Sequence, residues 1–444
     1  MKILFFILFL LYTMSLWGQH QAPAPLFRDP ITDGAADPVL IWNRTEKNWW
    51  MLYTQRRANS ETADVAYCYG NQIGIASSDD HGQSWVYRGT LDLDIEPGHN
   101  TFWAPDVVYH NGKYHMFVSY IQGVRNHWSG NACIAHYTSK NLWDWKYAGK
   151  PQINSNIIDP TLYRTPDGTW KMWYKDQNRG SVTMMAESKN LKKWITHDQP
   201  AIGGNAHEGP KVFRFGNYYW MITDEWQGLR VYRSTDLNTW EKQGLLLDKP
   251  GKRFQDTPQG AHADVVVAGD KAYIFYFTHP GRKSHTETRN DESGNLPYQY
   301  RRSCIQVAPL TIQDGLLICD RNSDFDLFFL YRSDSELPPR KVGQITLTYY
   351  RITGTGQLCE NFAQLPRPRD RLYIKSKIHH ISILHHIIFP FYRHFAGFFA
   401  FRFGTVCNEI IVFDHFGPDK PFFEIGMDNT GRLRCFHTFT ESPC

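Results

Sequence analysis

Three carboxylates, far apart in the chain, each open a short apolar segment with the composition of a β-strand. They are Asp37 in DPVLIW, Asp159 in DPTLYR and Glu208 in EGPKVF. Carboxylates that meet in one pocket suit two kinds of chemistry, the binding of a hard cation and general acid–base catalysis. A calcium loop of the D-x-D-x-D type does not occur in the chain, so the acid–base interpretation is favoured.

Hydrolysis of a glycosidic bond is one reaction that needs such a set. One carboxylic acid protonates the leaving oxygen, and a second, ionised carboxylate activates water or attacks directly. A third carboxylate nearby raises the pKa of the acid, because like charges resist joint ionisation. The three residues are therefore a candidate catalytic set, provided that the fold brings them together.

A repeat of roughly 50 residues supplies the elements that could do so. Each copy has a short strand, a turn and an aromatic-rich strand. Three copies of a later turn share the pattern Ser-x-Asn/Asp-Leu-x-x-Trp and end at Trp145, Trp194 and Trp240. No apolar period of about 3.6 residues persists over residues 30–320, which excludes helical repeats. Five repeats of about four strands predict an all-β fold, a five-bladed β-propeller.

The innermost strand of each propeller blade lines the central channel, so the residues that begin these strands are expected to share one mouth. We predict that Asp37, Trp103, Asp159, Glu208 and His262 occupy five equivalent starting positions. Clustered like charges cost free energy unless a catalytic task or a counter-ion offsets them. The cluster is therefore predicted to be a functional site.

The stretches AADPVL, IIDPTL, HEGPKVF and HADVVV, in this order, resemble glycoside hydrolase family 43 and its propeller relatives in families 32, 68 and 117. The resemblance covers residues 30–325. It implies that Asp37 is the general base, that Asp159 tunes the pKa of the acid and orients it, and that Glu208 is the general acid. It also implies inversion of the anomeric configuration and a metal ion or water near His262. No cofactor is expected to be required, and Ca²⁺ in the central channel is the one candidate.

Other residues at the ends of second strands, or beside the blade starts, are expected to lie near the same mouth. A tryptophan can stack on a sugar, and an arginine can hold a hydroxyl or a carboxylate with two hydrogen bonds. The predicted substrate-binding residues are Trp103, His207, Trp226, Arg282, Lys175 and Arg56. Because His207 directly precedes Glu208, either His207 or His262 is the reserve candidate for the general acid.

Composition narrows the class of partner. The chain has 444 residues and a net charge of +4, and it contains no basic run interleaved with aromatic residues. Nucleic acid is therefore excluded as a partner. Aromatic residues make up 15% of the chain, which suits both a β-rich fold and a carbohydrate site. The oligomeric state is left open.

The two ends of the chain differ from the repeat region. Residues 1–18 are predicted to be a signal peptide, because Lys2 precedes an almost wholly apolar run and polar sequence follows. We expect a secreted or periplasmic protein without a membrane anchor. The catalytic propeller is predicted over residues 19–332. Residues 333–444 are predicted to be an irregular C-terminal extension, and both an accessory β-domain and a frameshifted, unselected segment are open interpretations of it.

Taken together, these features predict a secreted glycoside hydrolase that cleaves plant or algal polysaccharides or oligosaccharides. The rival is a non-catalytic carbohydrate-binding propeller. Such a lectin usually repeats one site in every blade, whereas the five predicted starts carry different residues. This difference favours a single asymmetric catalytic site. The sugar, the linkage and the choice between exo and endo action are left open.

Overall fold

The computed structural model describes residues 21–93, 95–287 and 289–329, together with five strands after residue 347. The chain divides into two compact units, residues 1–340 and 341–444. The first unit contains five four-stranded antiparallel sheets, in each of which neighbouring strands follow chain order. The prediction of an all-β, five-bladed propeller is confirmed.

Each blade is a meander of four strands. The strands of blades 1 to 3 are β1 Ala35–Asn43, β2 Asn48–Gln55, β3 Gln72–Ser78, β4 Val86–Thr90, β5 Thr101–His110, β6 Lys113–Ile121, β7 Cys133–Ser139, β8 Lys146–Gly149, β9 Ile157–Arg164, β10 Trp170–Asp176, β11 Val182–Ser188 and β12 Ile195–Thr196. Those of blades 4 and 5 are β13 Glu208–Phe215, β14 Tyr218–Asp224, β15 Leu229–Ser234, β16 Glu241–Leu246, β17 Ala261–Ala268, β18 Lys271–Thr278, β19 Cys304–Gln313 and β20 Leu316–Cys319. The short helical turns of the described propeller are Ala66–Cys68, Gln177–Arg179 and Tyr298–Arg301.

The second unit contributes two small sheets to the described backbone. Its strands are β21 Thr348–Ile352, β22 Leu358–Phe362, β23 Glu409–Ile411, β24 Phe423–Met427 and β25 Leu433–His437. Strand β21 lies between β22 and β23, and β24 pairs with β25. The predicted signal peptide, residues 1–18, lies outside the described residues. In the part of the chain that is described, no helix combines the length and the apolar character needed to cross a membrane.

An apolar cluster fills each interface between neighbouring blades. Trp50, Trp173 and Trp220 are fully buried. They lie in the interfaces of blade 1 with blade 2, of blade 3 with blade 4 and of blade 4 with blade 5, respectively. Because burial of large aromatic side chains is a major source of stability, these interfaces hold the five innermost strands around one axis.

Both ends of the propeller segment close the ring between blades 5 and 1. Before blade 1, Phe27 pairs with Ile305 of β19 in an antiparallel bridge. After blade 5, the carbonyl oxygen of Phe329 accepts a hydrogen bond of 3.1 Å from the indole N–H of Trp49 in β2. The rings of these two residues lie 4.8 Å apart. Blades 1 and 5 therefore share one apolar core with the segments that flank them.

The predicted tryptophan turns join the third and fourth strands of the blades. The hydroxyl oxygens of Ser139 and Ser234 accept hydrogen bonds of 2.9 Å from the N–H groups of Leu142 and Leu237. These two leucines have φ values of +69° and +63°, a region that residues other than glycine seldom adopt. Both leucine side chains are buried. Burial and the serine hydrogen bond thus stabilise an unfavourable backbone conformation, which explains why the motif recurs.

A β-bulge at the start of each innermost strand determines which residues face the mouth. In blade 1 the pairing register shifts between Ala36 and Val39, so that Asp37 and Pro38 lie in the bulge. The backbone of Asp37 there has a φ of +48°, and that of Asp159 in blade 3 has a φ of +57°. A bulge re-aims a side chain, and here it positions two carboxylates.

The five predicted starts are not equivalent, and that prediction was wrong by one residue in blades 2 and 4. The positive-φ positions in those blades are Ala104, at +44°, and Gly209, at +55°. Trp103 and Glu208 therefore precede the bulge. Only glycine fits at 209, because a Cβ atom there would lie 2.7 Å from the ring Cγ of His262.

Candidate active site

The blade starts bring four ionisable side chains to the mouth of the propeller. The ring Nδ1 of His262 lies 3.6 Å from Asp37 Oδ1. Asp159 Oδ2 accepts a hydrogen bond of 3.1 Å from the N–H of Gly209, the residue after Glu208. Asp37 and Asp159 are buried, whereas the side chain of Glu208 keeps 26% exposure. Residues of blades 1, 3, 4 and 5 thus surround one space.

Glu208 is held by two donors that come from the ends of second strands. Lys175 Nζ lies 2.9 Å from Glu208 Oε2, and the indole N–H of Trp226 donates to Oε1 over 2.9 Å. Burial alone would raise the pKa of Glu208, but the ammonium charge and the two hydrogen bonds outweigh it and lower the pKa to about 2. In the free site Glu208 is therefore ionised.

Asp159 behaves in the opposite way. Its burial, reinforced by the charge of Glu208 and opposed by that of His262, raises its pKa to about 6. Neighbouring carboxylates whose environments separate their pKa values are typical of acid–base sites. Burial thus raises the pKa of Asp159, whereas contact with Lys175 and Trp226 lowers that of Glu208.

Asp224 is a fourth carboxylate of the site that was not predicted. It lies opposite Glu208 in the β13–β14 pairing. Its two carboxylate oxygens accept the backbone N–H of His262, at 2.9 Å, and that of Trp226, at 2.7 Å. Burial and the charge of Glu208 raise the pKa of Asp224 to about 7. Its position at the end of a second strand, like that of Lys175, is the signal that could have identified it.

The side of the pocket opposite Glu208 is built on Asp37. Arg56 Nη2 lies 3.5 Å from Asp37 Oδ1, and the same guanidinium stacks 4.7 Å above the ring of Phe277. Burial lowers the pKa of His262, but the charges of Asp159 and Asp37 outweigh it and raise the pKa overall. Asp37 is thus a buried carboxylate between the guanidinium of Arg56 and the imidazole of His262.

Trp103 lines the same mouth from blade 2. Its indole N–H donates to the carbonyl oxygen of Cys68, and its ring lies 4.9 Å from that of Tyr69 in an edge-to-face contact. The side chain is half-buried and packs in a cluster that includes Ile158, the residue before Asp159. A half-buried indole beside the carboxylates is a suitable wall for a sugar ring.

Two of the predicted substrate-binding residues have their polar atoms engaged within the protein. His207 is 1% exposed, and its ring nitrogens bond to Thr183 Oγ1 and to the carbonyl oxygen of Asn205, each at 2.8 Å. Arg282 donates from Nε to Tyr300, from Nη1 to His285 and from Nη2 to Tyr67. Substrate binding by either residue stays a prediction.

A lysine, Lys211, lies on the propeller axis below the mouth, between two buried aspartates. Lys211 Nζ lies 3.0 Å from Asp106 Oδ1 and 2.7 Å from Asp264 Oδ1. The second oxygens of these aspartates accept the backbone N–H of Leu162, at 2.6 Å, and that of Leu40, at 2.7 Å. This axial triad, Lys211 with Asp106 and Asp264, therefore links innermost strands of all five blades.

The candidate calcium ion in the central channel stays a prediction. Ca²⁺ takes six to eight oxygen ligands, but the axial carboxylates already hold an ammonium group. Among the residues that the structure describes, no group of three or more His, Cys, Asp or Glu side chains has the spacing of a metal site. His262 contacts Asp37 rather than a set of ligands.

Comparison with known proteins gives matches centred on the middle blades. Residues 89–226 match the family model described as glycosyl hydrolases family 43. A probable arabinan endo-1,5-alpha-L-arabinosidase A of Emericella nidulans is 31% identical over 190 residues, which are 38% of this chain and 56% of that protein. The chain spans about half the length of the arabinosidase relatives it matches. The propeller is glycosyl hydrolase family 43-like.

Further relatives cover similar shares of the chain. A β-xylosidase of Bacillus subtilis is 22% identical over 227 residues, 44% of this chain and 40% of that protein. Among solved structures, RS223-β-xylosidase matches 64% of this chain and 95% of its own, with a TM-score of 0.49 and 13% identity. An exo-1,5-alpha-L-arabinanase from a bovine ruminal metagenomic library matches 66% of this chain and 99% of its own, with a TM-score of 0.43 and 18% identity.

In this family 43-like propeller, we expect Lys175→Met to move the basic limb of the kcat/KM profile to higher pH. Lys175 lowers the pKa of Glu208, so its removal lets Glu208 keep a proton at higher pH. The expected displacement is about one to three pH units, the usual effect of an opposite charge at this distance. Initial rates on an arabino- or xylo-oligosaccharide, whose leaving oxygen needs a proton, measure the displacement across the acidic and neutral range.

Lys171→Met is the matched control for this change. Lys171 is a buried lysine of the same strand, but its Nζ lies 2.8 Å from Glu187 Oε1 rather than beside Glu208. The pH profile of this variant should keep its basic limb where the unmodified protein has it. An unmoved limb in Lys175→Met as well would show that Glu208 is not the group that must be protonated.

Proposed function

We propose that this chain is a glycoside hydrolase that acts with inversion. The observation that carries the proposal is the meeting of Asp37, Asp159 and Glu208 in one pocket from three separate blades, with Glu208 held between Lys175 and Trp226. Arabinan and xylan are the first polysaccharides to test, because the relatives named above act on arabinan or on xylosides.

In the proposed reaction, Asp37 accepts a proton from a water molecule on its own side of the pocket. The water oxygen forms a bond to the anomeric carbon while the bond from that carbon to the glycosidic oxygen breaks. Glu208 gives its proton to the leaving oxygen. The products are one saccharide with an inverted anomeric centre at its new end and the released remainder of the chain. A second proton transfer, from Asp37 to Glu208 through solvent, restores the starting state.

The reaction needs a protonated Glu208, so Glu208 must take up one proton before the glycosidic bond breaks. Glu208 is ionised while Lys175 contacts it, and the raised pKa values of Asp159 and Asp224 keep a proton nearby. A sugar that enters between Lys175 and Glu208 weakens the ion pair, which raises the pKa of Glu208. Asp159 reaches the backbone beside Glu208 through Gly209, and it is proposed to orient the acid and to tune its pKa.

The proposal is tested with a panel of aryl glycosides and with arabinan and xylan. We expect sugar release from at least one of them, and proton NMR of the first product should show the inverted anomer. The same panel tests the rival: retention of polysaccharide on an affinity gel without any sugar release would favour a carbohydrate-binding propeller. Release of the retained anomer would overturn the role of Asp37 as a base.

Export from the cytoplasm is part of the proposal. It rests on the apolar N-terminal run and on the polysaccharide substrates, which are too large to enter a cell. Fractionation of cells that express the full chain, followed by N-terminal sequencing of the exported protein, would locate the cleavage site. Recovery of the uncleaved chain in the cytoplasmic fraction would contradict this part of the proposal.

A further inference from the structure

The loops around the mouth differ greatly in length from blade to blade. The first strand of each meander begins at the mouth and the second returns to it, so the connection between the second and third strands lies on that side. These connections are residues 56–71, 122–132 and 279–303 in blades 1, 2 and 5, of which residue 288 is not described. In blades 3 and 4 they are only residues 177–181 and 225–228. The rim is therefore high on one side and low on the other.

The loop of blade 5 is bound to the loop of blade 1. Arg282 Nη2 donates to the hydroxyl of Tyr67 over 2.9 Å, and Arg301 Nε donates to the carbonyl oxygen of Ala58 over 2.8 Å. Leu296 is 1% exposed and packs in one apolar cluster with Tyr67 and Val65. Because these contacts are buried, the two loops form one continuous surface.

The loop of blade 1 is in turn bound to the loop of blade 2. The hydroxyl of Tyr69 donates to the carbonyl oxygen of Ser129 and accepts the N–H of the same residue, at 2.9 and 3.0 Å. The rings of Tyr69 and Trp103 both contact Trp128, each at 6.1 Å between centroids. Apart from residue 288, residues 56–71, 122–132 and 279–303 therefore make one continuous high rim, called here the 5–1–2 wall.

The proposed catalytic residues are arranged asymmetrically with respect to this wall. Asp37 contacts Arg56, the first residue of the blade 1 loop. Glu208 contacts Lys175, near the end of β10 before the short loop of blade 3, and Trp226, in the short loop of blade 4. A general acid protonates the oxygen of the departing part of the substrate. The departing part must therefore lie over blades 3 and 4, where the rim is low.

We infer that the enzyme is exo-acting and removes sugar from the non-reducing end of a chain. The bound terminal sugar lies against the 5–1–2 wall, which leaves no path for the chain to continue beyond it, while a leaving chain of any length extends over blades 3 and 4. This inference rests on the proposed function. It distinguishes the chain from relatives whose names state endo action.

The test compares one oligosaccharide in three forms. A linear α-1,5-arabino-oligosaccharide, or a β-1,4-xylo-oligosaccharide if the panel selects xylan, is used unlabelled, with a bulky fluorophore at its reducing end, and with the same fluorophore at its non-reducing end. We expect the first two to be cleaved at similar rates. The third should be slower by at least about 100-fold, the scale on which a closed pocket rejects a group that does not fit.

Each outcome of this experiment decides a question. Similar rates for the two labelled forms, with a ladder of intermediate products, would overturn the inference and show endo action. No cleavage of the unlabelled form of either sugar would instead overturn the proposed function, and the inference with it. Cleavage of the unlabelled and reducing-end-labelled forms alone, with the terminal sugar as the first product, supports exo action.

A pair of variants tests whether the wall is the cause. Tyr69→Phe removes the hydroxyl that binds Ser129 but keeps the ring, so it should loosen the wall and narrow the rate ratio between the two labelled forms. Tyr273→Phe is the control, because its hydroxyl donates to the carbonyl oxygen of Asp326 outside the wall. An unchanged ratio in Tyr69→Phe, or an equal narrowing in both variants, would contradict the assignment of the wall as the barrier.

Discussion

Replacing Asp37 with asparagine should lower kcat/KM by about 10²–10⁴-fold on polysaccharide and aryl glycosides alike, the usual range for loss of a general base. The asparagine keeps the size of the side chain but cannot take a proton from water. Because every substrate needs that water, the loss should not depend on the leaving group. Initial rates on both kinds of substrate measure it.

Glu208→Gln should behave differently, because a general acid matters only where the leaving oxygen needs a proton. On polysaccharide the loss should again be about 10²–10⁴-fold. On an aryl glycoside whose phenolate leaves without protonation, most of the activity should remain. The diagnostic quantity is therefore the rate on the aryl glycoside divided by the rate on polysaccharide. This ratio should rise in Glu208→Gln but stay constant in Asp37→Asn.

Glu225→Gln is the control for both variants. It makes the same chemical change as Glu208→Gln on the neighbouring loop, where Glu225 is paired with Arg230 at 2.9 Å. Its rates should stay close to those of the unmodified protein. If Asp37→Asn retained full activity, or if Glu208→Gln lost activity equally on both substrates, the assignment of base and acid would be wrong.

Lys211→Met should lower the free energy of unfolding by about 3 kcal/mol, the lower end of the range for removing one partner of a buried ion pair. The lower end applies because the Lys211 side chain keeps 16% exposure. The change leaves Asp106 and Asp264 facing each other without the cation that separates them. Chemical denaturation followed by tryptophan fluorescence measures the difference.

A triple variant separates charge from packing in this prediction. Lys211→Met combined with Asp106→Asn and Asp264→Asn removes all three charges while nearly preserving volume. Neutral replacements of a buried ionic group are often tolerated, so the triple variant should recover much of the lost stability. A triple variant less stable than Lys211→Met, or a single variant as stable as the unmodified protein, would show that the axial triad is not an electrostatic unit.

The number of blades and the meeting of Asp37, Asp159 and Glu208 at one mouth could be predicted because they follow from repeats. The exact register could not be predicted, because the charged or aromatic residue of a strand start does not always lie in the bulge. Alignment on the prolines of Asp37-Pro38 and Gly209-Pro210 would have shown that Glu208 precedes the bulge. Proline cannot donate to a strand pair, so its position marks the bulge more reliably than the side chain that carries function.

The remaining features of the site depend on contacts between blades. Asp224 and Lys211 gain their importance from neighbours more than ten residues away in sequence, and nothing in their own stretches announces those neighbours. The engagement of Arg282 by Tyr67 is of the same kind. An arginine at the end of a strand is equally compatible with holding a sugar or a loop, and only the fold distinguishes the two.

The contact between Asp37 and His262 bears on how heating inactivates the protein. These residues belong to the first and last blades. The side of the pocket with the proposed base therefore lies at the interface of blades 5 and 1, where Phe27 and Phe329 close the ring. If this ring closure opens, the contact between Asp37 and His262 is among the first to be lost, while the other blade interfaces stay intact. Enzymatic rate should therefore decline under mild heating before the bulk of the β-structure melts.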